Sequence, residues 1–115
     1  MTIREKCNTM QQALTGILPA VYHYGGGAVK DQYIEWMEDG EGSSYYHDDM
    51  KEQVLHGAVN YYALPYKIGD IPDKIQNVLS AVCGTTWNLM NVTVEYLSEK
   101  TTSTRYVHFR WEWEI

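Results

Sequence analysis

Apolar positions along this chain fall into two helical patterns and several extended ones. Ile3, Cys7, Met10, Leu14, Ile17 and Leu18 recur three or four residues apart, which predicts a helix from Thr2 to Leu18 with those residues on one face. Thr2 followed by Glu5 has capping-box spacing, and Pro19 stops the helix just past Leu18. Gly16 weakens its last turn, because glycine costs about 1 kcal/mol relative to alanine inside a helix. A second helix has Ile71, Ile75, Val78, Leu79, Val82 and Cys83 on one face. Asp70 or Ile71 caps it, Pro72 occupies the first turn, Asp73 suits the positive end of the dipole, and Gly84 ends it.

The remaining apolar residues alternate or run as short extended stretches. Ala20 to Tyr24 predicts a strand ended by Gly25-Gly26-Gly27. Tyr33 to Glu38 predicts another, with Ile34 and Trp36 on one side and Tyr33, Glu35 and Met37 on the other. Glu52 to Tyr62 predicts a third, in which Gly57 marks a possible bulge. Near the end, Met90, Val92, Val94 and Tyr96 alternate with Leu89, Asn91, Thr93 and Glu95. After a polar turn from Ser98 to Thr104, Val107, Phe109, Trp111, Trp113 and Ile115 alternate with Tyr106, His108, Arg110, Glu112 and Glu114. Such regular alternation predicts a long hairpin with one buried face and one wet face. The order is α-β-β-β-α-β-β, which predicts an α+β fold: a mostly antiparallel five-stranded sheet with two helices on one face.

Length and charge narrow the reading. At 115 residues with 44% hydrophobic composition and no linker, the chain reads as a single globular domain, residues 1–115. No apolar run approaches the roughly 20 residues a spanning helix needs, and no signal-peptide pattern opens the chain, so neither membrane nor secretion is expected. Nine basic against fifteen acidic residues give a net charge of −6, which argues against specific nucleic-acid binding. Cys7 and Cys83 lie on apolar helix faces without disulfide-framework spacing, so they read as reduced core thiols. Ten Tyr and four Trp with one Phe favour half-buried surfaces such as strand faces and subunit contacts.

Candidate chemistry is sparse. His23, His47, His56 and His108 show no metal-ligand spacing, and His47-Asp48-Asp49 lacks the regularity of a calcium loop. Gly25-Gly26-Gly27 matches no phosphate-binding pattern, and no nucleophile elbow occurs. Glu35, Glu38, Asp39, Glu112 and Glu114 could in principle supply an acid/base pair, but the wet face of a sheet is the weightier reading. No catalytic residue, cofactor or metal ligand is assigned, and no enzymatic activity is expected. Trp36, Trp111 and Trp113 read as core, with subunit contact as the alternative.

Several segments together carry a family resemblance: Leu18-Pro19-Ala20-Val21-Tyr22-His23-Tyr24, Tyr33 to Gly40, Gln53-Val54-Leu55-His56-Gly57, Asp73-Lys74-Ile75-Gln76, and the ending Val107 to Ile115. In that order they resemble the small tail terminator (tail completion, or minor capsid) proteins of long-tailed phages and Gram-positive prophages. The resemblance implies a structural virion protein at the head–tail junction, made in the host cytoplasm. It further implies a hexameric ring that caps the tail tube, stops addition of tube protein and meets the head connector. A head-completion or connector protein would read similarly, and a small monomeric ligand-binding module is the competing class. By position, the resemblance makes Lys30, Glu38, Asp39, Glu41, Asp48, Asp49, Glu99 and Lys100 candidates for the assembly interface or the lumen. An acidic lumen would let DNA pass without gripping its phosphates.

Overall fold

The computed structural model describes residues 3–24, 31–38, 55–99 and 102–115, with residues 3, 96–99 and 102–104 described by backbone alone. The elements are α1 (Ile3–Thr15), β1 (Val21–His23), β2 (Gln32–Glu38), β3 (His56–Ala63), α2 (Ile71–Cys83), β4 (Trp87–Glu99) and β5 (Thr102–Glu114). A single 3₁₀ turn, Pro65–Lys67, leads from β3 towards α2. The fold is α+β, as the alternation of patterns predicts. One five-stranded sheet in the order β1-β2-β3-β5-β4 is antiparallel throughout except where β1 pairs with β2 in parallel.

Both helices pack on one face of this sheet. Cross-strand register places Trp36, Val59, Trp111 and Leu89 in one row and Glu38, Gly57, Trp113 and Trp87 in the next, so all four indoles lie on the same side. Helix α1 meets that side through Gln11, whose Oε1 accepts the Trp36 indole N–H. Helix α2 meets it through Gln76 and Ser80, which accept from Trp111 and Trp87 at 3.1 Å each. Met10 and Leu14 from α1, Leu18 just beyond its end, and Ile75, Leu79 and Cys83 from α2 fill the space between the layers. Burial pushes the Cys83 thiol up to about 12 and that of half-buried Cys7 to about 11, so both stay protonated and unreactive near neutrality.

Several boundaries differ from the sequence expectation for physical reasons. Helix α1 ends at Thr15, not Leu18, because the chain turns at Gly16; Ile17 and Leu18 still pack on the core from outside the helix. Gly57 is not a bulge: its register with Glu38 and Trp113 is continuous. A Cβ at that position would overlap the Trp113 indole and the Met37 carbonyl, so the glycine is there for close approach. The irregularity falls instead between Leu89 and Asn91, where an extra residue shifts the register. The polar stretch Ser98 to Thr104 is mostly paired strand, since Leu97, Ser98 and Glu99 oppose Thr104, Ser103 and Thr102. Backbone pairing does not require apolar side chains, and β-branched threonine suits it. The expected loop from Asp39 to Asp49, the glycine run and the Thr2 cap lie outside the described residues.

The fit at Gly57 gives the first prediction. Gly57→Ala should lower the unfolding free energy by about 2–3 kcal/mol, because neither a buried indole nor a strand carbonyl can move cheaply. Urea unfolding followed by tryptophan fluorescence checks it, with the slope unchanged and the midpoint lowered.

Candidate functional site: an open sheet edge

The most distinctive surface is the edge formed by β4. Thirteen residues in a helix cover about 20 Å, whereas thirteen in a strand cover about 44 Å. Helix α2 therefore shields only the Trp87 end of the terminal hairpin. Beyond that end, Leu89, Met90, Val92 and Val94 remain 43%, 51%, 49% and 53% exposed, although the last three belong to a regular apolar alternation in the sequence. The bulge at Met90 changes how that alternation is oriented. Leu89 opposes Trp111, Val92 opposes Phe109 and Val94 opposes Val107, so Leu89 joins Val92 and Val94 on the helix side. The expected buried face of β4 is thus an uncovered apolar stripe. On the outer side of β4 no described strand pairs, so a row of backbone N–H and C=O groups runs beside the stripe.

The hairpin also projects. Strand β3 pairs with β5 only from Val107 to Glu114, so Thr102–Tyr106 and its partners on β4 extend past the rest of the sheet. This projection accounts for a longest dimension of 54 Å against 25 and 21 Å. The other edge, β1, is three residues long.

Of the sequence-predicted interface residues, Lys30, Asp39, Glu41, Asp48, Asp49 and Lys100 lie outside the described residues. Glu38 and Glu99 are not brought together. Glu38 shares a row with Trp113, whereas Glu99 pairs with Thr102 at the hairpin's far end, roughly 37 Å along β5. Nor is Glu38 a free surface charge. Parallel pairing of β1 with β2 brings His23 beside it, Nε2 lying 2.8 Å from Oε2, and the His23 ring stacks on Trp36 at 4.0 Å. The Tyr24 hydroxyl donates to the Glu38 carbonyl at 3.1 Å. Burial pushes the Glu38 carboxyl up, but hydrogen bonds from Tyr24 and His23 outweigh it and hold the group below its ordinary 4.5.

Each described histidine faces a glutamate: His23 with Glu38, His56 with Glu114 at 3.5 Å, and His108 with Glu95. Spacing along the chain could not reveal these pairs, because strand pairing makes them. Among the described residues no group of three or more His, Cys, Asp or Glu gathers to hold a metal. A cleft of about 390 Å³ opens where β2 ends, its wall including Glu38, His56, Arg110 and Glu112 beside buried Trp113. It joins a histidine to two carboxylates, yet His56 pairs with Glu114, Glu38 with His23, and Glu112 with Arg110 at 3.5 Å. No described helix is long and apolar enough to cross a membrane. No protein-family model matches the chain, and no curated protein matches it in sequence.

The Glu38 site carries a pH prediction. Its folded-state carboxyl binds a proton less readily than the unfolded chain, so the unfolded state takes up the proton first as pH falls. The contribution is therefore present above the ordinary value of 4.5 and is lost as pH drops through the lower folded-state value. Relative to Glu38→Gln, the wild type should hold a stability advantage at neutral pH that shrinks in acid, measured as the difference in urea midpoints from about pH 7 to about pH 3.

Proposed function

We propose that this chain is a structural phage or prophage virion protein, a tail terminator that assembles as a ring on the finished tail tube. There it halts tube polymerisation and forms the surface on which the head connector docks. The observation that carries this reading is the β4 edge, where an apolar stripe and an outer strand edge that no described strand pairs lie together on a hairpin longer than the helices can cover. Such an edge left bare is an aggregation hazard, and a neighbouring subunit removes the hazard by pairing along it. Identical subunits joined head to tail through unlike edges close into a ring when the rotation allows. The hexameric size follows from the family resemblance.

The partners of this reading are further copies of the chain, the tube protein and the head connector, at the head–tail junction of the virion and in the host cytoplasm during assembly. A net charge of −6 is compatible with a ring through which DNA passes without adhering. Reversible, concentration-dependent assembly fits an interface resting on one strand and a few aliphatic side chains.

A second reading, a monomeric ligand-binding module, draws on the cleft beside Trp113. Oligomeric state separates the two. Mass photometry at rising concentration, with and without purified tube protein, should show ring formation; a monomer under every condition supports the ligand module. Electron microscopy of tails assembled without this protein should show overlong tubes, and tubes of normal length would refute termination. Replacing Val92 and Val94 together with lysine should abolish the ring while changing stability by no more than about 1 kcal/mol, since both side chains are half exposed in the free subunit.

A further inference from the structure

On the face turned away from the helices, one side chain ties three strands together. His108 of β5 is opposite Tyr62 of β3 and Thr93 of β4 in the ladder, and its imidazole stacks on the Tyr62 ring at 4.1 Å. Its Nδ1 meets the Glu95 carboxylate of β4, which also accepts from the Thr93 hydroxyl at 3.2 Å. Its Nε2 lies 2.7 Å from Oδ1 of Asn60 on β3, a side chain only 3% exposed.

The protonation state follows from donor and acceptor chemistry. Arg110 Nη1 approaches the same Asn60 Oδ1 at 3.3 Å, and a guanidinium can only donate. The Asn60 atom facing Arg110 and His108 is therefore the oxygen, and Nε2 must carry a proton to bond it. Nδ1 faces a carboxylate already receiving a hydroxyl, so it too must carry a proton. Only the imidazolium supplies both. A neutral ring leaves one lone pair directed at an oxygen, so either the tie to β3 or the tie to β4 is replaced by repulsion.

We propose that His108 is a protonation-controlled clasp on the sheet edge: as the imidazolium it links Asn60 of β3 to Glu95 of β4, and loss of one proton frees the middle of β4, Asn91 to Glu95. The charged and titratable groups facing it are Glu95 from β4, Tyr62 from β3, and Arg110 and Tyr106 from its own strand, Tyr106 lying opposite Glu95; Tyr33 of β2 continues the same row beyond Tyr62, and Glu35 of β2 lies in the adjoining row. Glu95 favours the charged ring and Arg110 opposes it, while Asn60 accepts from both cations. Burial, together with Glu95 and Glu35, pushes the Tyr62 hydroxyl up despite Arg110, so the stacked phenol stays neutral. Because β5 is the one described strand that β4 pairs with, a tie reaching β3 matters most for β4. The clasp stands on this geometry and does not require the assembly reading above.

Two measurements on the full chain test it together: the ring ¹⁵N shifts of His108, and the exchange of the β5-bonded amides from Asn91 to Glu95, corrected for the intrinsic pH dependence. At the acid end both ring nitrogens should be protonated. Protection of those amides should then fall roughly tenfold in step with the His108 titration, while β3 amides hold. His108→Gln or Glu95→Gln should remove the pH dependence of β4 exchange. A folded protein with one ring nitrogen unprotonated throughout, or β4 protection unchanged across the titration, would overturn the proposal. The wild-type titration decides it even where a variant does not fold.

Discussion

The two layers of this protein are joined by hydrogen bonds from strand tryptophans to polar side chains on the inner faces of the helices. An indole brings a large apolar surface into a core together with one N–H, and that N–H costs about 1–3 kcal/mol if buried without a partner. Gln11 answers Trp36, Gln76 answers Trp111, and Ser80 answers Trp87. These are directional bonds in an otherwise non-directional core, so they fix the rotation and the lengthwise position of each helix over the sheet. Trp113 is the exception among the described buried polar side chains, its N–H having no partner. Its ring instead gains close contact with the backbone at Gly57, which no side chain separates from it.

Anchoring the helices in this way decides what they leave uncovered. Both sit over the tryptophan rows, and neither is long enough to follow the terminal hairpin to its tip. The unshielded aliphatic residues of β4 therefore come from the mismatch between helical and extended rise per residue, and not from a weak hydrophobic pattern. The opposite face is organised differently: Tyr22, Tyr33, Tyr62 and His108 contact one another in succession across four strands, with Asn60, Arg110 and Glu95 bonded among them. One face is held by helix contacts and the other by a polar and aromatic network within the sheet itself.

How far the sequence was legible depends on whether a signal was local. Helix α2 could be read almost residue for residue, because Pro72, Gly84 and the apolar spacing all sit within it. Helix α1 was overextended, since Ile17 and Leu18 continue the apolar pattern after Gly16 has turned the backbone. The hairpin was recognisable but its face was not: one extra residue at Met90 changes which side Leu89 occupies, and side-chain type does not announce a bulge. Strand neighbours were out of reach altogether. His23 meets Glu38 through a parallel pairing, and His108 meets Asn60 through strands far apart in the chain. Of the predicted interface residues with described backbone, Glu38 proved to be internally engaged and Glu99 lies at the distant hairpin end, because family position carries no information about pairing partners.

The strand order has a consequence for how the protein is made. Strand β5 lies between β3 and β4, so the last of the described strands in chain order becomes an interior strand of the sheet. Its contacts with β3 bridge about fifty residues of intervening chain, so this pairing must overcome the entropy of closing a long loop. Until Glu114 clears the ribosome, Trp111 and Trp113 are missing from beneath the helices, and both β3 and β4 display a side that β5 will later occupy. Nascent chains waiting on the same message present identical sticky strands to one another at high local concentration. Closure of the sheet between β3 and β4 therefore waits on the emergence of β5.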